Sequence, residues 1–346
     1  MAYTTINKST DYFNTKLYTG NGGTNAITGV GFQPDFVWLK NRSATAGHQL
    51  SDAVRGKSGT NYYSLSSDTT SAEAVQGDND GLNTLGSDGF TVGYTNSTGW
   101  NNNGNNYASW NWKAGGTASS NSDGAITSSV SVNATAGMSI VNFTKTNGEV
   151  TVGHGLGKKP SLIIFKPLAT ANWIVTPTIN GSMANNYLLL NATDALGTGG
   201  AFSNPTSSVF SISNNIAPNS EHIAYCFADV QGYSKMGSYI GNGNADGTFV
   251  YTGFKPAWLM VKRAIGGTGS WAITDNKRDS FNVNDAYLSA NNSNTESDFD
   301  HADFLSNGIK FRTNNDGWNQ NGNTYIYMAF AEAPLVGTNG VTAKAR

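Results

Sequence analysis

Hydrophobic positions in this chain come in short runs and in strict alternation, not at helical spacing. Beginning at Tyr107 the sequence reads YASWNWKA. Ala108, Trp110 and Trp112 fall on one face of an extended chain, and Tyr107, Ser109 and Asn111 on the other. The alternation recurs with Ile223, Tyr225 and Phe227 against His222, Ala224 and Cys226. It recurs again with Ile326, Met328 and Phe330 against Tyr325, Tyr327 and Ala329. A period of two with one bulky face marks a strand over a core. A second kind of segment, in DFVWL, SLIIF and AWLMV, is apolar at nearly every position. Such runs predict strands covered on both faces, or on one face plus a neighbouring unit. No segment shows a 3.6-residue period with caps. The expected fold is all-β.

These elements belong to a unit that occurs three times. An aromatic precedes a Gly/Asn turn at Tyr18, Phe143 and Tyr239, and a proline follows 16 or 17 residues later at Pro34, Pro160 and Pro256. Six residues beyond each proline stands a lysine: Lys40, Lys166 and Lys262. His48, Trp173 and Trp271 come next, then Tyr62, Tyr187 and Tyr287, then the alternating last strand. The first and third copies also share WNNNGNNY from Trp100 and WNQNGNTY from Trp318. Ordered landmarks at near-constant spacing are the signature of an internal repeat. Proline at a strand entrance does least harm to the ladder, and the glycine-rich turns permit tight reversals. Each unit is expected to hold six or seven strands in about 90 residues, as in an antiparallel sandwich or jelly roll.

The organisation predicted is an N-terminal arm (1–14), three β units (15–114, 137–229 and 236–333) and a C-terminal tail (334–346). The Gly/Ser/Thr-rich tract 115–136 reads as a flexible or extended linker. Only VQGYSKMG separates the last two units, which should therefore pack closely. The units are expected as beads in a row, with pseudo-threefold packing as the alternative.

Composition narrows the function. Of 346 residues only 13% are charged, and the net charge is −2. Such a chain has no general attraction to nucleic acid or to an anionic membrane. The 43 Asn and 41 Gly would suit disorder, but 8 Trp, 15 Tyr and 16 Phe do not. The surface is expected to be polar and uncharged. One cysteine, Cys226, excludes an intrachain disulfide or a cysteine zinc site and reads as a buried thiol. The start MAYTTINKSTDYFN has no basic or apolar stretch, so no signal peptide is expected. No apolar run is long enough to span a bilayer as a helix.

Candidate chemistry is sparse. The three lysines read as strand ends that snorkel or pair locally. Asp78 and Asp80, and Asp298, Asp300 and Asp303, are spaced like calcium ligands but complete no calcium loop. Asp52 and Asp275 follow the His48/Trp271 landmark by four residues, yet the second unit has Pro177 there. No carboxylate pair recurs in all units, and no nucleophile elbow, phosphate loop or dinucleotide fingerprint is present. No enzyme and no cofactor are therefore expected. The best candidates are the Asn-rich loops: Trp100 with Asn102, Asn103 and Asn105, and Trp318 with Asn319, Asn321 and Asn323. An exposed indole stacks on a sugar while neutral amides bond its hydroxyls. The competing reading is a tight loop whose Trp closes the end of the sandwich.

The stretches GVGFQPDFVWLKNRS, GHGLGKKPSLIIFKP, GSYIGNGNADGTFVYTGFKPAWLMVKR, WAITDNKRD, FLSNGIKFRT and YIYMAFAEAPLVGTNGVTAKAR resemble a repeat family in structural proteins of tailed bacteriophages, particularly marine ones. The resemblance covers all three units and the tail. It implies a tail-fibre-like or other structural component of the virion, with no catalytic residues to carry over. The expectation is a non-enzymatic exterior protein, tail-associated and serving host attachment. It would be assembled in the host cytoplasm with other virion proteins, released by lysis, and homo-oligomeric. A capsid decoration or fibre protein is the first alternative, and a glycan-binding module or depolymerase the second.

Overall fold

The computed structural model describes residues 3–75, 77, 80–93, 98–199, 202–214, 216–337 and 342. The fold is all-β with antiparallel sheets; the one helical element described is a 3-10 turn at Ser9–Asp11. Each unit is built on the same four neighbouring strands. In the first unit the opening strand Phe13–Thr19 pairs with the closing strand Asn106–Trp112. That strand pairs with the post-proline strand Phe36–Asn41, which pairs with the flanking strand Gln49–Asp52. The second unit repeats the order with Met138–Lys145, Ser220–Phe227, Leu162–Pro167 and Ile174–Pro177. The third does so with Ser234–Ile240, Thr324–Pro334, Phe254–Ile265 and Trp271–Asp275.

Register confirms the repeat residue by residue. Lys40 lies opposite Ala108, Lys166 opposite Ile223 and Lys262 opposite Ile326. Each partner stands two positions before the bulky residue Trp110, Tyr225 or Met328. One landmark needs correcting. Leu50 bridges Leu65 as Val175 pairs with Leu188 and Ile273 with Leu288. The position of Tyr187 and Tyr287 is therefore taken by Ser64, and Tyr62 lies two residues earlier.

The units form a closed ring, not beads in a row. The bulky faces of all three closing strands meet in one shared core. Trp112, Phe227 and Phe330 occupy equivalent places and form a triangle at its centre, with ring centroids 6.4, 6.0 and 5.7 Å apart. The opposite faces point into a separate core within each unit. This explains the continuous apolar runs. Phe36 and Trp38 face the shared core while Val37 and Leu39 face the first unit's own interior. Burial on both sides lets every position of such a strand be apolar.

A second, smaller sheet closes each private core. It is Asn25–Thr28 with Gly89–Val92 and Leu82–Gly86 in the first unit, and Val150–Gly153 with Val209–Ile212 in the second. In the third unit Phe249–Tyr251 and Gly308–Phe311 join Ser297–Leu305, which continues through Asn284–Ser289 into the main sheet. The tract 115–136 is not a free linker. Ser128–Asn133 pairs with Met138–Lys145, Ser119–Asn121 adds outside it, and Val130 is buried in the second unit's core. The N-terminal arm is anchored likewise, with Ile6 buried in the shared core. At the other end Pro334 closes the last strand, and residues 338–341 and 343–346 of the tail lie outside the described residues.

Candidate functional site

The Asn-rich loops are built as turns. Trp100 and Trp318 are 1% and 3% exposed, each inside the private core of its unit. Their ring faces cannot receive a sugar. Tyr18 Oη donates to the carbonyl of Trp100 and Tyr239 Oη to that of Trp318, both at 2.5 Å. Tyr107 Oη accepts from Asn102 N at 2.8 Å, and Tyr325 Oη accepts from Gln320 N at 2.9 Å. Asn101 Nδ2 donates to Asn21 Oδ1 at 3.0 Å, and Asn319 Nδ2 to Asn242 Oδ1 at 2.9 Å. The loops thus lock onto the opening turns TGNG and IGNG. A Cβ on Gly20 would lie 2.2 Å from the carbonyl oxygen of Asn102, and one on Gly241 2.3 Å from that of Gln320. Of the amides expected to bind a ligand, Asn319 is buried, Asn102, Asn105 and Asn323 are half-buried, and only Asn103 and Asn321 are exposed.

The acidic groups do not converge. Asp303 is buried and held by Arg312, at 2.6 Å to Nε and 2.5 Å to Nη2. Asp298 and Asp300 stand exposed. Among the described residues no three His, Cys, Asp or Glu side chains are placed to share a metal ion. Asp78 lies outside the described residues; Asp80 closes a turn onto the carbonyl of Gly77.

The charged and polar groups that recur in the sequence lie at the seams between units. The backbone N–H groups of Ala46, Ala171 and Gly269 donate to the carbonyls of Ser293, Thr70 and Thr193, at 3.0, 2.9 and 2.9 Å. Trp173 Nε1 donates to the carbonyl of Ser66 and Trp271 Nε1 to that of Leu189, both at 2.8 Å. His48 occupies the equivalent position. It accepts from Trp38 Nε1 at Nδ1, so its proton sits on Nε2, 3.0 Å from the carbonyl of Ser289. First touches third, third touches second and second touches first: a heterologous contact that closes.

The lysines do not snorkel. All three are buried, and their ammonium groups bond backbone carbonyls. Lys40 Nζ reaches Ala46 in its own unit and Ser293 in the third, at 2.8 and 3.1 Å. Lys262 Nζ reaches Thr193 in the second unit at 3.0 Å, and Lys166 Nζ reaches Pro167 and Ala169 at 2.7 Å each. Burial lowers each of the three to about 8. Cys226 is buried as expected, and burial pushes its thiol up to about 12, which leaves no thiolate at neutral pH.

Concave features also lie away from the seams, one of about 430 Å³ beside Tyr3, Asp229 and Tyr251. A cavity of about 380 Å³ opens on the second unit, lined by Ile174, Tyr187, Leu189 and Phe202, with Asn172 and Ala217 among its other residues. The equivalent place in the third unit holds about 230 Å³ between Ser270, Tyr287, Ser289 and Asn292. The sequence carried no signal for it beyond the drift of the second copy away from the other two.

A family model described as a domain of unknown function (DUF7483) matches residues 8–334, and the chain belongs to that family. No curated protein and no solved structure matches the chain.

Proposed function

We propose that this protein is a non-enzymatic structural component of the exterior of a tailed-bacteriophage particle, tail-associated and fibre-like, serving host attachment. One observation carries the reading. Among the described residues, every exposed large apolar side chain lies in the third unit, including Ile240, Phe249, Tyr251, Ile265 and Phe281. Phe249 and Tyr251 flank buried Val250 just as Ala26 and Thr28 flank buried Ile27 in the first unit. The fold does not require aromatic groups there, since the first unit does without them. Exposed apolar side chains confined, among the described residues, to one unit of three suit a part that docks to other particle proteins through that unit. The resemblance to phage structural repeats supports the same assignment, as does the use of the recurring ionisable groups as joints between units.

The test is mass spectrometry of purified particles, followed by a cryo-EM map. Density for the three-unit ring on the tail, third unit inward, is the expected result. The same density on the capsid would favour a decoration protein. Absence of the chain from purified particles would end the reading.

A further inference from the structure

We infer that the cavity on the second unit is a binding site for an uncharged pyranose ring. Its biological meaning rests on the attachment reading; its chemistry does not. Three positions in the ring are equivalent, and among the described residues only the second unit's is open and apolar. In the first unit Gln49 and Ser64 stand where the second has Ile174 and Tyr187, and Ser64 Oγ closes onto Gln49 Oε1 at 2.7 Å. In the third unit Ala272 and Ser289 replace Ile174 and Leu189. Tyr287 is turned edge-on to Trp318 there, with ring centroids 6.0 Å apart. The second unit differs because its small sheet has two strands among the described residues, where the other two units have a third. With no third strand among the described residues, Phe202 and Tyr187 line a cavity instead of underlying a sheet.

The lining defines the ligand. The volume of about 380 Å³ falls within the roughly 300–1,000 Å³ of small-molecule sites. Among the described residues no charged side chain lines it, which disfavours phosphates, carboxylates and cations. Tyr187, Phe202, Ile174 and Leu189 supply an apolar surface. Two neutral polar groups at the cavity have capacity left. Asn172 Oδ1 accepts from Asn191 Nδ2 at 2.9 Å, while Asn172 Nδ2 donates to no described residue. The Tyr187 hydroxyl bonds no described residue either. Its phenol end rests against Gly197, where a Cβ would lie 2.3 Å from Cζ. Apolar surface beside an amide donor and a hydroxyl matches a sugar ring, with its C–H face and its belt of hydroxyls. A purely apolar ligand would leave the hydroxyl of half-buried Tyr187 without a partner, whereas exposed Asn172 is free to reach a ligand hydroxyl or water.

Saturation-transfer NMR on the full chain tests this, with the methyl glycosides of glucose, galactose, mannose and N-acetylglucosamine as probes and indole as the apolar comparison. Transfer to ring C–H protons of at least one glycoside is expected. Tyr187→Ala should abolish it. Tyr187→Phe should weaken it by roughly threefold to tenfold through the lost hydroxyl. Ala171→Leu, which adds volume at a lining position of the cavity, should abolish it, and Tyr287→Ala should leave it unchanged. No transfer to any glycoside, transfer that survives both Tyr187→Ala and Ala171→Leu, or binding of indole alone would overturn the inference. The experiment needs no particles. Glycoside binding by a chain absent from particles would sink the attachment reading and keep the site; the reverse result would sink the site alone.

Discussion

Trp110 in the first unit donates its indole N–H to Asp275 Oδ2 in the third, 3.0 Å away and 165 residues along the chain. The next seam repeats the arrangement with different chemistry: Tyr225 Oη of the second unit donates to Asp52 Oδ2 of the first at 2.8 Å. Each aspartate is also gripped by an arginine three residues on, Arg278 or Arg55, at 2.6 Å. Each arginine in turn meets a glutamate, Glu296 or Glu73. At the seam between second and third units the aspartate, donor and glutamate positions hold Pro177, Met328 and Leu196, all apolar, and the arginine position holds the neutral Asn180. Carboxylate, partner donor and glutamate have thus been replaced together at one seam of three. They act as a set, and the set joins units.

If Trp110 is a joint of the shared core, Trp110→Ala should cost about 3–5 kcal/mol, from lost burial and from Asp275 losing a donor. Trp110→Phe keeps most of the packing and should cost less. Equilibrium unfolding in urea measures both. A loss below about 1 kcal/mol for Trp110→Ala would place the residue outside the core.

The seams make a sharper prediction. Arg55→Met strands Asp52 and Glu73 near a buried interface and should cost about 3–5 kcal/mol. Combining it with Asp52→Leu, Glu73→Leu and Tyr225→Met imitates the apolar seam and should recover most of that loss, as replaced buried ion pairs often do. Unfolding midpoints of the single and combined variants decide it. A combined variant no more stable than Arg55→Met would show that the seams are not interchangeable.

The repeat was legible because its marks are backbone marks. Proline at a strand entrance and lysine six residues on survive divergence, since each unit needs the same ladder. The ring was not legible, because alternation in a single strand reports one buried face and is silent about a neighbour over the other. Ser109 and Asn111 look like an exposed face in sequence, yet both are buried. Trp100 misled for a related reason. A Trp at the head of an Asn-rich loop has the same local sequence whether it points out or in. What fixes it inward is Tyr18, 82 residues away. Asp52 and Asp275 were visible as a pair broken by Pro177, but only the partner strands show that Pro177 belongs to a matched apolar set.

Acid should weaken the fold through its buried imidazoles. Burial lowers His48 to about 3 and His222 and His301 to about 4, and lowers His154 as well. The unfolded chain takes up these protons near pH 6.5. Between there and the folded values the unfolded state binds more protons, so stability falls as pH falls. Urea midpoints should drop from about pH 7 to about pH 5. His301→Phe keeps a ring over Trp318, 4.2 Å away in the native stack, and should reduce the drop. A midpoint that does not change over this range would mean these imidazoles are accessible to protons in the native state.

The lysines extend the same rise of stability with pH to the alkaline side. Lys40, Lys166 and Lys262 stand at about 8 through burial, against about 10.4 for a free side chain. Below both values each lysine is charged in both states, and the cost of keeping a buried ammonium is felt in full. Between them the unfolded chain holds protons that the native chain has released, so stability rises with pH. A neutral amine still donates two hydrogens, so the bonds to Ala46, Pro167, Ala169 and Thr193 need not break. The buried tyrosines act only later: Tyr18, Tyr225, Tyr233 and Tyr239 are raised well above their ordinary value by burial, and their contribution is lost above about pH 10. The urea midpoint should therefore be higher at about pH 9.5 than at about pH 7.5. Lys166→Met should shrink that rise, and at the higher pH it should also lower stability, since two buried carbonyls lose their donor. A wild-type midpoint that is level or lower at the higher pH would show that the three amines titrate normally and are not held in a desolvated environment.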